Sequence, residues 1–450
     1  MGHRLVPAAL VLAGLVGTLS APCPAAELLE LYRQALAGAP ELRATIHERT
    51  AASEGSRQAF AGFLPSVQFS YDGTATTQDV NDAEEDIFTE GSDRFYTSDW
   101  SLTLRQPLFR LDNHRAFDQA RNRERGATAA LEQARQTLGL RLAEIYFDAL
   151  AAADQLAFTR SELVAVEEEA RRETARREAG LGRRTDAAEA SARRSTLAAR
   201  QIRDWRRIDD AHRALAELTG RPVADLAPLR ADLPLVRPNP DDPDAWATMA
   251  ATANLDVVLR HHELEVARDE VERQRSEHYP TVDLLARLNR NDAGGSVFGG
   301  GRELDTAEVG IRINVPLYSG GLVSARVREA TALMSSAMER VDIARRAAHR
   351  AGHDSYAGVL SALAQIEALT ESVAAQRLLR DERRIGYERG MLTVLAVLDA
   401  ERDLTEAARD LSLARYEYVI ESLRLKHAAG ILDAAAIEAT NDLLDSSASR

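Results

Sequence analysis

Cysteine is nearly absent. Cys23 is the single one in 450 residues, so neither an intramolecular disulfide nor a cysteine-based zinc site can form. Lysine is equally scarce: of 56 basic residues one is Lys426 and 55 (56 − 1) are arginine, a bias of composition rather than a site. Aromatic residues make up 5%, low for a conventional enzyme core. Beyond residue 26 no stretch approaches the ~18 consecutive apolar residues that a membrane-spanning helix needs. Positive charge is in deficit, with a formal net charge of −14. A phosphate-neutralising face is expected to be basic, so no nucleic-acid partner is expected.

Alanine, leucine, glutamate and arginine fill the chain instead. Hydrophobic residues reach 45%, which excludes wholesale disorder, and charged residues reach 28%. That mixture is the composition of long helices and coiled coils. Residues 1–26 read as a secretory signal: Arg4, an apolar run Leu5–Leu19, then a small-residue exit with cleavage near Ala25 or Ala26. Lipidation at Cys23 is disfavoured by Ser20 and Pro22 in the positions before it. An exported chain without a helical span is periplasmic, secreted, or inserted as a β-barrel.

One unit is written twice. Phe63-Leu-Pro65-Ser-Val-Gln-Phe69 matches His278-Tyr-Pro280-Thr-Val-Asp-Leu284; Leu102-Thr-Leu-Arg-Gln-Pro107-Leu-Phe109 matches Ile311-Arg-Ile-Asn-Val-Pro316-Leu-Tyr318; Gly180 matches Gly390. The first repeat spans 27–230, a Pro- and Asp-rich linker 231–244, the second repeat 245–430, and a C-terminal tail 431–450. Each repeat opens on a helical segment (Leu28–Phe60; Trp246–Glu277). Two alternating segments follow, about 64–74 and 97–107 in the first and about 280–290 and 306–316 in the second. Then comes a long helix, a Gly turn and a second long helix.

Segments of about ten alternating residues suit tilted transmembrane strands, one face toward lipid and one toward water. The acidic Asp79–Asp93 and Gly-rich Ala293–Gly301 stretches are expected to be solvent-exposed loop tips. Each second strand is expected to stop at its Pro, because Pro cannot donate to the ladder. Four strands cannot close a barrel, and lipid tolerates no open sheet edge. Strands that enter a membrane must therefore be pooled among several chains, which points to a symmetric ring.

The helices carry their own pattern. Leu131, Ala134, Leu138, Leu142, Ile145, Ala149, Ala152 and Leu156 recur at a mean near 3.6 residues. Val397, Leu404, Leu411, Tyr418 and Leu425 keep a seven-residue beat, with Ala400, Ala407, Ala414 and Ala428 three residues behind four of them. Large residues at one seam position and Ala at the other let helices approach closely in a left-handed coiled coil. Outward faces are expected to carry the pairs Glu167–Arg171, Glu168–Arg172 and Glu173–Arg177.

Signs of catalysis are weak. His349 and His353 stand at i,i+4, but Arg350 occupies the place where a metalloprotease box needs Glu. The run Gly294–Gly301 lacks the Gly-Lys-Ser/Thr of a phosphate loop. No enzymatic activity, cofactor or metal is expected. Two readings stay open on residues alone: an outer-membrane export conduit, or a periplasmic coiled-coil scaffold that never enters the membrane. The duplicated strand pairs favour the conduit.

In these pieces the chain resembles the TolC-like outer-membrane channel proteins of efflux pumps and type I secretion systems. The resemblance rests on the mature start Leu28-Leu-Glu-Leu-Tyr-Arg-Gln-Ala-Leu-Ala37 and the strand exits Gln106-Pro-Leu-Phe109 and Val315-Pro-Leu-Tyr-Ser-Gly-Gly321. Two hairpin tips also match, Ala179-Gly-Leu-Gly-Arg-Arg-Thr-Asp186 and Gly386-Tyr-Glu-Arg-Gly390-Met-Leu-Thr-Val-Leu-Ala-Val-Leu-Asp-Ala400. It implies an α+β membrane protein: a long antiparallel α-helical coiled-coil tunnel with four transmembrane β-strands per chain. It further implies a homotrimer whose barrel of about twelve strands sits in outer-membrane lipid. The tunnel would reach into the periplasm and meet a periplasmic adaptor and an inner-membrane transporter, ABC or proton-driven. The exposed tips Gly180, Leu181, Gly182, Gly390, Met391 and Leu392 would dock the adaptor. At the gate, the resemblance assigns Asp186 and Tyr387 to a latch and Asp399 to an acidic ring at the constriction. Two family positions differ: Ala396 replaces an Asp of that ring, and Leu392 replaces an Arg of the latch.

Overall fold

A computed structural model describes residues 26–80, 91–180, 184–223, 225–295 and 300–445. Elements run in the order α1 (Leu28–Gly38), α2 (Pro40–Ala61), β1 (Ser66–Val80), β2 (Gly91–Phe109), α3 (Leu111–Glu178) and α4 (Arg184–Thr219). The second half gives α5 (Pro243–Ala253), α6 (Leu255–Ser276), β3 (Thr281–Ala293), β4 (Arg302–Asn314), α7 (Leu322–Glu388) and α8 (Val394–Ala428). A last helix, α9 (Ala434–Asn441), follows. The opening helical segment of each repeat is thus two helices. Between α1 and α2 the chain turns at Ala39 ahead of Pro40, and between α5 and α6 at Asn254, whose side chain accepts from the Asp256 amide.

The helices α3 and α7 are 68 and 67 residues long, each about 100 Å at 1.5 Å per residue. Neither contains a proline to break it. Folded back by α4 and α8, they make two antiparallel hairpins, and α3 also packs along α8. The alanine seam does what its size permits. Ala400, Ala407, Ala414 and Ala428 are buried on α8, which packs along the tip-side half of α7. Farther from the tip α7 packs on α5 and α6, where Ala344 and Ala348 cluster with Ala250 and Val257. Among the described residues no helix is long and apolar enough to cross a membrane.

The main core lies at mid-height, where the repeats meet. Leu28, Leu142, Tyr146, Phe147, Leu215, Val359, Leu423 and Ile437 are essentially inaccessible there. Tyr146 donates to the carbonyls of Ala227 (2.8 Å) and Ala26 (3.1 Å), and burial raises its phenol pKa. The C-terminal segment joins this core. Its helix α9 buries Ile437, and Asn441 accepts from the Leu29 amide at 3.0 Å.

Four strands form one antiparallel sheet, β1-β2-β3-β4, in which β2–β3 pairing joins the two repeats. Among the described residues β1 and β4 each keep one edge unpaired. Three sequence expectations need correction. The first hairpin runs farther than expected, because β1 continues through Asp79 to Val80 and β2 begins at Gly91. The Thr74, Thr76 and Thr77 run favours strand, and Tyr71 and Tyr96 share a hydroxyl contact at 2.9 Å across the extension. The centre of the expected Asp79–Asp93 loop, 81–90, lies outside the described residues. Second, Pro107 does not stop β2. A register shift between Pro107 and Phe109 absorbs it, and Phe109 still faces Val282. Third, Glu173 is buried rather than outward. Arg176 rather than Arg177 bridges it, at 3.3 Å, while the expected pair Glu168–Arg172 forms at 3.8 Å, with Arg171 also on Glu168 at 3.1 Å.

Candidate functional site

Alternation gives the sheet two chemically distinct faces. On one, registered rows read Val67, Leu104, Ala286, Val309 and then Phe69, Leu102, Leu288, Ala307. Gln106, Leu284 and Ile311 extend this face toward the helices, and Tyr71, Trp100, Arg290 and Asp305 close it toward the loops. Its side chains are bare for apolar residues: Phe69 is 65% exposed, Ile311 64% and Val309 79%. Rows of the opposite face are polar: Gln68, Thr103, Arg287, Glu308 and then Ser70, Ser101, Asn289, Thr306. An apolar band below an aromatic and ionic rim, backed by a hydrophilic surface, is the pattern of a lipid-facing wall around a watery lumen.

Where the sheet meets the helices, one carboxylate joins the repeats. Asp283 of β3 is almost fully buried. It accepts from Arg105 of β2 (2.9 and 3.2 Å) and from Arg110 at the start of α3 (2.9 and 2.9 Å). The repeat alignment could not have revealed it, since the matching residue of the first copy is the neutral Gln68.

The hairpin tips stand about a helix length away. At the first, Gly180 takes φ +77°, and Leu181 and Gly182 lie outside the described residues. At the second, Gly390 also takes φ +77°. Its amide donates to Tyr387 O (2.8 Å) while the Met391 amide donates to Gly386 O (2.9 Å). This is the Schellman closure of a helix end, and it needs a residue that tolerates the left-handed region. Leu392 folds back over Gly386: a Cβ there would sit 2.8 Å from Leu392 Cδ1 and make the leucine side chain shift. Met391 remains 67% exposed.

The gate residues assigned by resemblance fall as follows. Asp186 is in the first turn of α4, but its side chain lies outside the described atoms. Tyr387 is half-buried in the last turn of α7. Asp399 lies one turn into α8 and has arginine partners: Arg193 of α4 at 3.2 Å and Arg402 of its own helix at 3.6 Å. Arg193 also approaches Glu162 of α3 at 3.8 Å. The carbonyl of Ala396, at the family's other Asp position, accepts from Arg383 at 3.3 Å. Arg193 and Glu162 escape sequence reasoning because their meeting with Asp399 depends on the register of α3, α4 and α8 against one another, whereas Arg402 stands at i,i+3 from Asp399 on the same helix, a local spacing.

The family model described as "Outer membrane efflux protein" matches residues 31–221 and 246–431. The alkaline protease secretion protein AprF of Pseudomonas aeruginosa is 32% identical over 420 residues, covering 91% of this chain and 86% of that protein. The outer membrane protein TolC of Vibrio cholerae is 26% identical over 431 residues, covering 95% and 96%. Among solved structures, the outer membrane protein VceC of Vibrio cholerae superposes with a TM-score of 0.75 at 20% identity, covering 90% of this chain and 96% of that one. The chain belongs to the outer membrane efflux protein family and is an outer-membrane channel of the efflux and type I secretion kind, extending into the periplasm.

Proposed function

We propose that three copies of this chain form the exit duct of a tripartite export machine. The carrying observation is the sheet: one apolar face, one polar face and, among the described residues, two outer strands with one unpaired edge each. In lipid an unpaired strand edge leaves N–H and C=O groups unsatisfied at several kcal/mol each. Pairing β4 of one copy with β1 of the next removes every edge, and three copies supply about twelve strands. The helical hairpins then continue the lumen into the periplasm.

In this reading the tips dock a periplasmic adaptor, and an inner-membrane transporter supplies energy. Exposed Met391 and Leu392 at the second tip suit such docking. Asp399 lines the constriction, its charge partly offset by Arg193. The Tyr387 hydroxyl latches to Asp186. The scaffold alternative has no use for a two-faced sheet. The test is membrane fractionation with unheated gel mobility: a heat-modifiable trimer in the outer-membrane fraction is expected. A monomer in the soluble periplasmic fraction would refute the reading.

A further inference from the structure

The polar face of the sheet is not uniform along its length. At the end that joins the helices it carries Arg105, Arg110, Arg287 and Arg312 against Asp283 and Glu308, a net of 4 − 2 = +2 per chain. Arg105 and Arg110 are both committed to Asp283. Arg287 and Arg312 are exposed, and among the described residues neither has a carboxylate within 4.0 Å. Near the loops the sign reverses. Asp72 and Asp99 stand opposite each other in register, and with Asp93 they outweigh Arg302, a net of 1 − 3 = −2. Asn291 donates to Asp99 at 3.2 Å, which holds that carboxylate on this face.

Four residues separate the row of Thr103 and Arg287 from the row of Asp99 and Asn291, about 13 Å along a strand. The Debye length is about 8 Å at physiological ionic strength, so the two zones act as separate potentials. This charge layout is opposed to the net-acidic composition of the chain as a whole.

We propose that the base of the barrel lumen is a carboxylate-receiving belt, with Arg287 and Arg312 as its open ligand groups, followed by an acidic mouth. Three copies place six such guanidinium groups around one lumen. Guanidinium is a planar, permanently charged fork matched to carboxylate. An acidic stretch of cargo leaving the helical tunnel is drawn to the belt, and the mouth carboxylates oppose its return from outside. The inference rests on the trimeric-barrel reading above.

The test reads potential directly, independent of how narrow the periplasmic constriction is. In a Cys23→Ser background, Thr103→Cys reports on the belt and Thr74→Cys on the mouth. Each is reacted in outer membranes with an anionic (sulfonatoethyl) and a cationic (trimethylammonioethyl) methanethiosulfonate. A local potential of about one kT multiplies the anion-to-cation rate ratio by about seven, so the two sites should differ by roughly tenfold or more at low salt. The difference should collapse at 1 M salt, where the Debye length is about 3 Å. It should also fall in Arg287→Gln/Arg312→Gln. Equal ratios at both sites, or a ratio at Thr103→Cys unmoved by the double variant, would overturn the belt. If the double variant does not assemble, Arg312→Gln alone and Arg287→Lys, which keeps the charge, give the same comparison. An oligo-glutamate peptide and citrate are then added as competitors. Protection by the peptide assigns acidic polypeptide, protection by citrate assigns small carboxylates, and protection by neither overturns the proposal. If Thr103→Cys is inert to both reagents while Phe69→Cys reacts, the faces are inverted and the barrel reading itself fails.

Discussion

Arg193 of α4 places its guanidinium 3.2 Å from the Asp399 carboxylate of α8, and so ties one hairpin to the other just above the tips. The arginine side chain is 19% exposed. Beside it, Leu398 of α8 packs against Leu163, Val166 and Leu197. A small apolar cluster and one ion pair thus hold the lower ends of the hairpins together. A partly shielded pair of this kind contributes ~0.5–1 kcal/mol, about two- to fivefold in a closed–open equilibrium.

Arg193→Gln and Asp399→Asn should therefore act alike on opening and oppositely on selectivity. Both break the pair and raise the frequency of open events in planar bilayers. Arg193→Gln frees the Asp399 charge and raises cation preference, whereas Asp399→Asn lowers it. The double variant should open no more often than either single one. Additive increases in opening would show that the two side chains do not act as a pair.

The second prediction concerns close helix packing. Gly352 on α7 faces α5, and a Cβ there would come within 2.9 Å of both Ala250 Cβ and Trp246 O. Backbone cannot yield as a flexible side chain would. Gly352→Ala should destabilise the protein by about 1–3 kcal/mol, seen as a lower Tm by circular dichroism. Gly55 in α2 is the contrasting case, with nothing within 4 Å of an added Cβ. Gly55→Ala should raise stability by about 0.5–1 kcal/mol, because alanine loses less backbone freedom on entering a helix.

The sequence carried the periodic features and missed those that depend on register. Alternation in Val67, Phe69 and Tyr71 revealed a strand, and the alanines at 400, 407 and 414 revealed a helical seam, because each pattern is local. Acidic residues at 79 and 93 suggested a loop, yet cross-strand pairing of threonine and tyrosine carried the ladder through both positions. Glu173 looked like a solvent-facing partner for Arg177, but it is buried and pairs with Arg176 of its own helix. Asp283 and Arg193 had no periodic signature at all. Each acquires its role from a residue more than 150 positions away.

A third prediction tests the tip. Gly390 has φ +77° and open space around it, so strain rather than collision penalises a side chain there. Gly390→Val should cost about 1–2 kcal/mol locally and undo the closure in which the Met391 amide meets Gly386 O. On the proposed trimeric reading the sheet lies far from the tip, so the assembly should still reach the membrane. Export should fall sharply because the tip no longer presents Met391 and Leu392 in one arrangement. Wild-type export from this variant would separate the tip from adaptor docking.

The last prediction is a pH dependence at the seam between α3 and α6. Glu270 of α6 accepts from Arg273 (2.7 and 2.9 Å), from Gln274 (2.6 Å) and from Gln119 of α3 (3.0 Å). The Arg273 hydrogen bonds above all, then those from Gln274 and Gln119, outweigh partial burial and lower its pKa from 4.5 to about 2. A carboxylate whose pKa is lower folded than unfolded stabilises the fold above the unfolded value, and that contribution is lost as pH falls toward the folded value. Between pH 4.5 and pH 2, Glu270 should therefore withdraw its support. At 1.4 kcal/mol per pH unit the ceiling is about 3 kcal/mol, reduced in practice because 27% of the side chain is exposed. Glu270→Gln keeps the size and removes the charge. It should lower Tm at pH 7 and flatten the decline between pH 4.5 and pH 2 relative to the unaltered protein. Parallel declines in the two proteins across that window would mean that Glu270 does not couple protonation to the α3–α6 seam.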